Sequence, residues 1–171
     1  MEHRFVQNPN WIAFGYESIN YTQEEITKIL YELEEDFNHI MIIEYLLESL
    51  ILLKEDLNLT YDEVSSLRKN VAINKESKIG EEFKPSLRAW QSLDVALYNH
   101  FNRTLWKRIE KFGYDRMKEE VETLRQMNID NAKECVDQYI PVAELPAEFR
   151  DWQPIGVEIK GIKLRLDATE R

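Results

Sequence analysis

Asp36 to Asp56 reads DFNHIMIIEYLLESLILLKED, and this stretch decides the fold class. His39 to Ile43 is a short β-branched apolar run, the pattern of a buried strand, and it meets Glu44 and Tyr45 before the period changes. From Leu46 the apolar residues recur at Leu46, Leu50, Leu53 and Leu57 with Leu47 and Ile51 beside them. Glu48, Lys54 and Glu55 fall off that stripe, which is the spacing of an amphipathic helix. A strand running into a helix predicts an α/β fold. In open α/β sheets ligands collect at the carboxyl ends of strands, so Glu44, Tyr45, Glu48 and Ser49 become candidate substrate-facing residues. The plainer alternative is a buried strand followed by a helix start that favours acidic groups.

On the N-terminal side, residues 1–20 read as loop or extended chain, broken at Asn8-Pro9 and Gly15 and anchored by Trp11, Ile12 and Phe14. Thr22 and Glu25 form a capping box that opens a helix with the stripe Ile26, Ile29, Leu30, Leu33 and Phe37. On the C-terminal side a second box, Thr60 with Glu63, predicts a short helix carrying Val64 and Leu67. Arg68, Lys69, Lys75, Lys78 and Lys84 then gather with Asn70 and Ser77 in a basic loop. Such a loop could close over a phosphorylated ligand with lysines as point charges, or be a solvated connector.

Pro85 suits a first helical turn, and Leu87, Trp90, Leu93, Leu97, Phe101, Leu105 and Ile109 predict one long helix stopped by Gly113. Off its stripe lie Asp94, Tyr98, His100 and Asn102, either site residues or an exposed face. A further amphipathic segment carries Tyr114, Met117, Val121 and Leu124, and another helix is expected from Ala132 to Tyr139. Pro141, Pro146 and Pro154 end helical structure. In the tail, 140–171, Val157, Ile159, Ile162, Leu164 and Leu166 alternate as one or two strands would. The fold class is therefore α/β and helix-rich, a single domain over 1–171 with few strands and long amphipathic helices.

The chain has 171 residues, 43% of them hydrophobic, enough for a real core, and a formal net charge of −10 that argues against non-specific binding to nucleic acid or anionic membrane. The N-terminal MEHRFVQNPN is polar, and the apolar runs are interrupted by Glu44 and Glu48, so nothing reads as a signal peptide or membrane span and the chain reads as soluble. The single cysteine, Cys135, excludes an internal disulfide framework and reads as a spare thiol. His3, His39 and His100 are too scattered to support a zinc site. Three glycan acceptor sequons occur, at Asn20, Asn58 and Asn102; the first two precede helix starts whose threonines already serve as caps. There is no Walker-type loop, G-x-G-x-x-G, G-x-S-x-G or H-E-x-x-H.

Two blocks carry a resemblance. Ile43-Glu44-Tyr45-Leu46-Leu47-Glu48-Ser49-Leu50-Ile51-Leu52-Leu53 is similar to an E-(H/Y)-x-(D/x)-E-S-L-x-L-L segment of the galactose-3-O-sulfotransferase family. Arg88-Ala89-Trp90, Leu93-Asp94, Leu97-Tyr98, His100-Phe101-Asn102, Thr104 and Trp106 match that family's R-x-W-N-x-L-D-x-x-L-Y-x-H-F-N-x-T-x-W pattern. Asn8-Pro9 to Gly15 and Phe112-Gly113 are similar too, so the likeness is strongest over 8–126.

The resemblance implies the C-terminal half of a P-loop-like sulfotransferase domain, in a Golgi membrane enzyme facing the lumen. Such an enzyme transfers a sulfuryl group from 3′-phosphoadenylyl sulfate, with no metal, to the 3-hydroxyl of galactose in galactosylceramide or related glycans. It also implies that the phosphosulfate loop and catalytic base lie upstream, in a partner half of the same domain, which leaves this chain by itself inactive or a non-catalytic remnant or interaction module. Glu44, Glu48 and Ser49 are then candidates for the acceptor-facing wall. Arg68, Lys69 and Asn70 fall near the family's K-L-N nucleotide position, although Val71 and Ala72 stand where an arginine is expected. Asn102 matches a family glycan acceptor.

Overall fold

Leu93, Leu97, Phe101, Leu105 and Ile109 recur every four residues, and the helix they make is the axis of the first part of the chain: each is no more than 7% exposed. The computed structural model describes residues 7–67, 71–72, 80–144 and 159–165. The elements are α1 (Pro9–Ala13), α2 (Gln23–Asp36), α3 (Leu46–Asp56), α4 (Tyr61–Val64), β1 (Val71–Ala72), α5 (Lys84–Trp90), α6 (Ser92–Phe112), α7 (Tyr114–Cys135), β2 (Val136–Pro141) and β3 (Ile159–Leu164). The architecture is helix-rich with a small sheet, an α/β composition. Two compact units are distinguished, Met1–Leu53 with Lys78–Met117 and Lys54–Ser77 with Lys118–Arg171.

In the first unit α6 packs against α1, α2 and α5. Its core adds Trp11, Ile29, Leu30, Leu33, Ile42, Ile51 and Leu52. Both strokes of the predicted capping box at α2 are present: Glu25 N–H donates to Thr22 Oγ1, and Thr22 N–H donates to Glu25 Oε2 at 2.7 Å. The loop expected over residues 1–20 contains the short helix α1, with Pro9 in its first turn and Trp11 fully buried between Tyr16 and Tyr21. The predicted continuous helix from Pro85 is instead two, broken at Gln91, while Gly113 stops α6 at φ +100, which glycine adopts readily. Leu87 and Trp90 therefore leave the buried stripe and are 38% and 41% exposed.

His39 to Ile43 is not a strand. No strand among the described residues lies beside it, so its backbone groups bond locally: Ile42 N–H donates to Ser49 Oγ at 3.3 Å, and Tyr45 N–H donates to the Ile42 carbonyl at 3.0 Å. The segment becomes a turn entering a short 3₁₀ helix, Ile43–Tyr45. Ile42 is buried while Met41 and Ile43 are exposed, the alternation a half-solvated strand would also show, so it is the missing partner and the 3₁₀ helix opening at Ile43 that rule the strand out among the described residues. The stripe of α3 is also rotated from the expected one: Ser49, Ile51 and Leu52 are buried, whereas Leu46 and Leu57 are 36% and 61% exposed.

In the second unit the predicted box at α4 is formed, with Glu63 N–H to Thr60 Oγ1 and Thr60 N–H to Glu63 Oε2. The helix ends at Val64, so Leu67 is not part of it. α4 leads into bonds with α7, Ser66 N–H to Asn128 Oδ1 at 2.8 Å and Asn131 Nδ2 to Ser65 Oγ at 3.1 Å. The helix expected from Ala132 to Tyr139 ends at Cys135, because Val136 to Ile140 pairs with β3 and sheet hydrogen bonds replace helical ones. β3 is one antiparallel centre strand in the order β1-β3-β2, and it runs through Gly161 opposite Ile140. Pro141 closes the edge strand β2, where a missing N–H is tolerated. Val157 and Leu166 lie outside the described residues.

Candidate functional site

Residues four apart share a helix face, so the buried stripe of α6 has two polar flanks: Tyr98, Asn102 and Trp106 on one, His100, Thr104 and Arg108 on the other. The segment from α2 to α3 meets both flanks.

On the first flank Tyr45 and Trp106 stand edge to face, ring centroids 5.1 Å apart. Partial desolvation, then the Glu44 carboxylate and Tyr45, raise the Tyr98 phenol above its ordinary value. Glu44 is exposed and Glu48 half-buried. Tyr98 and Trp106 are each 39% exposed. Ser49 is different. It is fully buried, its hydroxyl serves Ile42, and its carbonyl accepts from His39 Nε2 at 2.9 Å, so it closes the turn from within. Asn102 sits in mid-helix with Oδ1 shielded from solvent and no hydrogen-bond partner among the described residues. Arg68, Lys69 and Asn70 lie outside the described residues, and so does most of the basic loop.

On the second flank Glu34 of α2 is gripped from α6. His100 Nε2 donates to its Oε2 at 2.8 Å and Thr104 Oγ1 to its Oε1 at 3.2 Å, with Tyr31 and Phe101 edge-on to the His100 ring. Arg108 donates to the Asn38 carbonyl and to His39 Nδ1, both at 3.2 Å. Arginine has no acceptor, so His39 takes that bond on Nδ1 and carries its proton on Nε2, the atom facing Ser49. Sequence reasoning singled out neither Glu34 nor Arg108; the i, i+4, i+8 series His100, Thr104, Arg108 was the signal available.

A third cluster is mechanical. Asp94, expected to be site-facing or exposed, accepts from Asn10 N–H at 3.1 Å, Asn10 Nδ2 at 2.9 Å and Trp11 N–H at 2.8 Å, capping α1 from another helix. Asn8 returns the service. In the left-handed conformation, φ 50, its Oδ1 accepts from Leu93 and Asp94 N–H at 3.2 and 3.3 Å, capping α6 where that helix's own Gln91 makes no side-chain cap. Among the described residues no group of three or more His, Cys, Asp or Glu could hold a metal ion, and no helix is long and apolar enough to cross a membrane.

The residues that meet at α6 come from separate sequence blocks, as in a protein whose site is assembled on a helical scaffold. The model of the galactose-3-O-sulfotransferase family matches residues 1–171, and the chain belongs to that family. It is 30% identical to bovine galactosylceramide sulfotransferase over 98% of this chain and 41% of that protein. It is 31% identical to the mouse galactosylceramide sulfotransferase over 94% of this chain and 40% of that protein. Human galactose-3-O-sulfotransferase 4 is 36% identical over 78% of this chain and 30% of its own length. The chain thus spans about two fifths of the length of the galactosylceramide sulfotransferases it matches. No solved structure matches it.

Proposed function

We propose that this chain serves a sulfotransferase that moves a sulfuryl group from 3′-phosphoadenylyl sulfate to the 3-hydroxyl of galactose in galactosylceramide or a related glycan, on the lumenal side of the Golgi membrane. The observation that carries this reading is the family match along the whole chain. In this reading the chain is the acceptor-side portion of a P-loop-like domain, and the phosphosulfate loop with its sheet belongs to the donor-binding half. Two local features support it: the exposed Met41 and Ile43, and the meeting of Glu44 and Tyr45 with Tyr98 and Trp106 on a half-exposed face.

Glu44 and Glu48 then line the acceptor wall, where carboxylates accept from sugar hydroxyls. Ser49 contributes by holding the turn that presents them. Arg68, Lys69 and Asn70 contact the nucleotide of the donor, and Asn102 is the glycan acceptor. Transfer itself needs a base for the hydroxyl and positive or N–H donors for the leaving phosphate, both assigned to the donor-binding half.

The test joins the chain to the region of the bovine relative outside the match and follows labelled sulfate into galactosylceramide. Transfer is expected, and the double variant Glu44→Gln, Glu48→Gln should lower kcat/KM by about tenfold or more, the worth of a charged hydrogen bond. A folded chimera without transfer sinks the reading; unchanged transfer in the double variant dismisses the two carboxylates. By itself the chain is expected to give no heat with 3′-phosphoadenosine 5′-phosphate in calorimetry, and saturable binding would overturn the division of labour.

A further inference from the structure

Glu34, Phe37, Asn38, Phe101, Thr104 and Arg108 line a partly enclosed pocket of about 290 Å³ between the end of α2 and the second flank of α6. We propose that this pocket binds a neutral sugar ring, one hexose of a glycan, at a place apart from the wall formed by Glu44 and Glu48. The choice of galactose as the probe rests on the function proposed above; the argument for a sugar does not.

The size comes first. At about 290 Å³ the space lies at the small end of ligand pockets, which suits a single ring rather than a nucleotide or a lipid chain. The chemistry comes next. The floor is apolar, with Phe101 and Leu105 only 4% and 3% exposed, and Phe37 forms a lip at 47% exposed, its ring set edge to face on Phe14. Against this apolar surface stands one carboxylate that cannot swing away, because His100 and Thr104 hold one oxygen each. Each carboxylate oxygen keeps a further lone pair, so Glu34 offers fixed acceptors to hydroxyl donors. Asn38 stands exposed on the rim.

A ligand for such a site must donate hydrogen bonds and also present C–H surface to an aromatic lip. A sugar ring does both. An anion is disfavoured, since Glu34 faces the space and the Arg108 bonds run to Asn38 and His39. A purely apolar ligand would strip water from the remaining lone pairs of Glu34, whose side chain is 37% exposed, and put no donor in its place, at a cost. The α2–α6 tie made by Glu34 would also exist if it were purely structural, so the test must read the ligand.

The chain as it stands is examined by saturation-transfer NMR with methyl β-galactopyranoside at about 10 mM, in keeping with the millimolar affinity of a single ring. Transfer is expected on the ring C–H protons. It should fall by about fivefold or more in Phe37→Ala and in Thr104→Val, the loss of roughly one contact each. Circular dichroism melting identifies any variant that has merely unfolded, and Asn38→Ala, exposed and outside the core, provides a further variant that must also weaken transfer. Absence of transfer to the native chain overturns the proposal. So does a signal that survives all three substitutions, or one displaced by inorganic sulfate. Sulfuryl transfer is not read here: a sugar signal with an inactive chimera would overturn the proposed function alone, and an active chimera with no sugar signal would overturn the pocket alone.

Discussion

Replacing Asp94 by alanine tests whether the first unit is held by reciprocal capping. The carboxylate accepts three hydrogen bonds, and they are not equal. Trp11 N–H, at 2.8 Å, is partly buried beside an indole that is fully buried, so water cannot readily take over; a charge-assisted bond of this kind is worth about 1.5–3 kcal/mol. The two bonds from Asn10 are exposed, and solvent replaces them at about 0.5 kcal/mol each. The total is about 3 kcal/mol. For a chain of this length that lowers Tm by about 6–12 °C. In urea, with a slope near 2 kcal/mol/M, the midpoint falls by about 1.5 M. Asp94→Asn keeps one acceptor oxygen and should lose about half as much. Equilibrium urea unfolding followed by tryptophan fluorescence and circular dichroism measures both. An alanine variant whose midpoint moves by less than about 0.3 M would refute the latch, because the slope then leaves under 1 kcal/mol for all three bonds.

Further substitutions probe other parts. Lys54 Nζ lies 3.0 Å from Glu120 Oε2, with side chains 14% and 15% exposed, so Lys54→Met leaves a desolvated carboxylate and should cost about 3 kcal/mol in urea unfolding, with Glu120→Gln added in the same chain restoring much of it. Tyr61 donates to that carboxylate, and burial first, then Glu120, raise its phenol above the ordinary value. A raised value means stability complete below the unfolded value near 10 and lost as pH climbs through the folded one, so alkaline titration should show a stability loss that Tyr61→Phe removes. Glu25 and Glu63 are held below the ordinary carboxylate value, chiefly by the Thr22 and Thr60 backbone N–H bonds; their contribution is present above the unfolded value and fades as pH falls through the folded one. Thr22→Ala should cost about 1 kcal/mol through the lost cap with little dependence on pH, whereas Glu25→Gln should remove the part of the stability that fades in acid, both read by melting across that range. Ser49→Ala strands the Ile42 N–H and should cost about 1–3 kcal/mol, while Ser49→Thr, still carrying a hydroxyl, tests whether the loss is the hydrogen bond.

What could be read from sequence follows the range of the forces involved. Both capping boxes and the Gly113 stop were legible because each is decided within a few residues. The buried series Leu93 to Ile109 was legible because period alone carries it. His39–Ile43 misled because β-branched residues report a preference for burial, whereas a strand needs a neighbour, and none lies beside it among the described residues. Val136–Ile140 misled the other way: a short run after a long helix is ambiguous until β3, more than twenty residues on, supplies a partner. The shift of the α3 stripe came from Ser49, which a hydropathy pattern places outside although its hydroxyl earns a fully buried position.

The same distinction sorts the residues that carry the family resemblance. Asn8 and Asp94, which a pattern match treats like any other, spend their polar atoms on each other's helices and have none to offer a substrate. Glu44, Tyr98 and Trp106, from the same blocks, remain at a half-exposed face. Scaffold and acceptor-wall roles therefore separate by experiment among the blocks that carry the resemblance. Asp94→Ala should shift unfolding and reduce transfer in the chimera only as far as it unfolds the chain, an effect that lowering the temperature reverses. Glu44→Gln should leave the melting curve in place and lower kcat/KM at every temperature. If the two substitutions instead gave the same pattern, the division of these blocks into latch and wall would be wrong, since a residue bound to another helix and one open to solvent would then be acting through the same contacts.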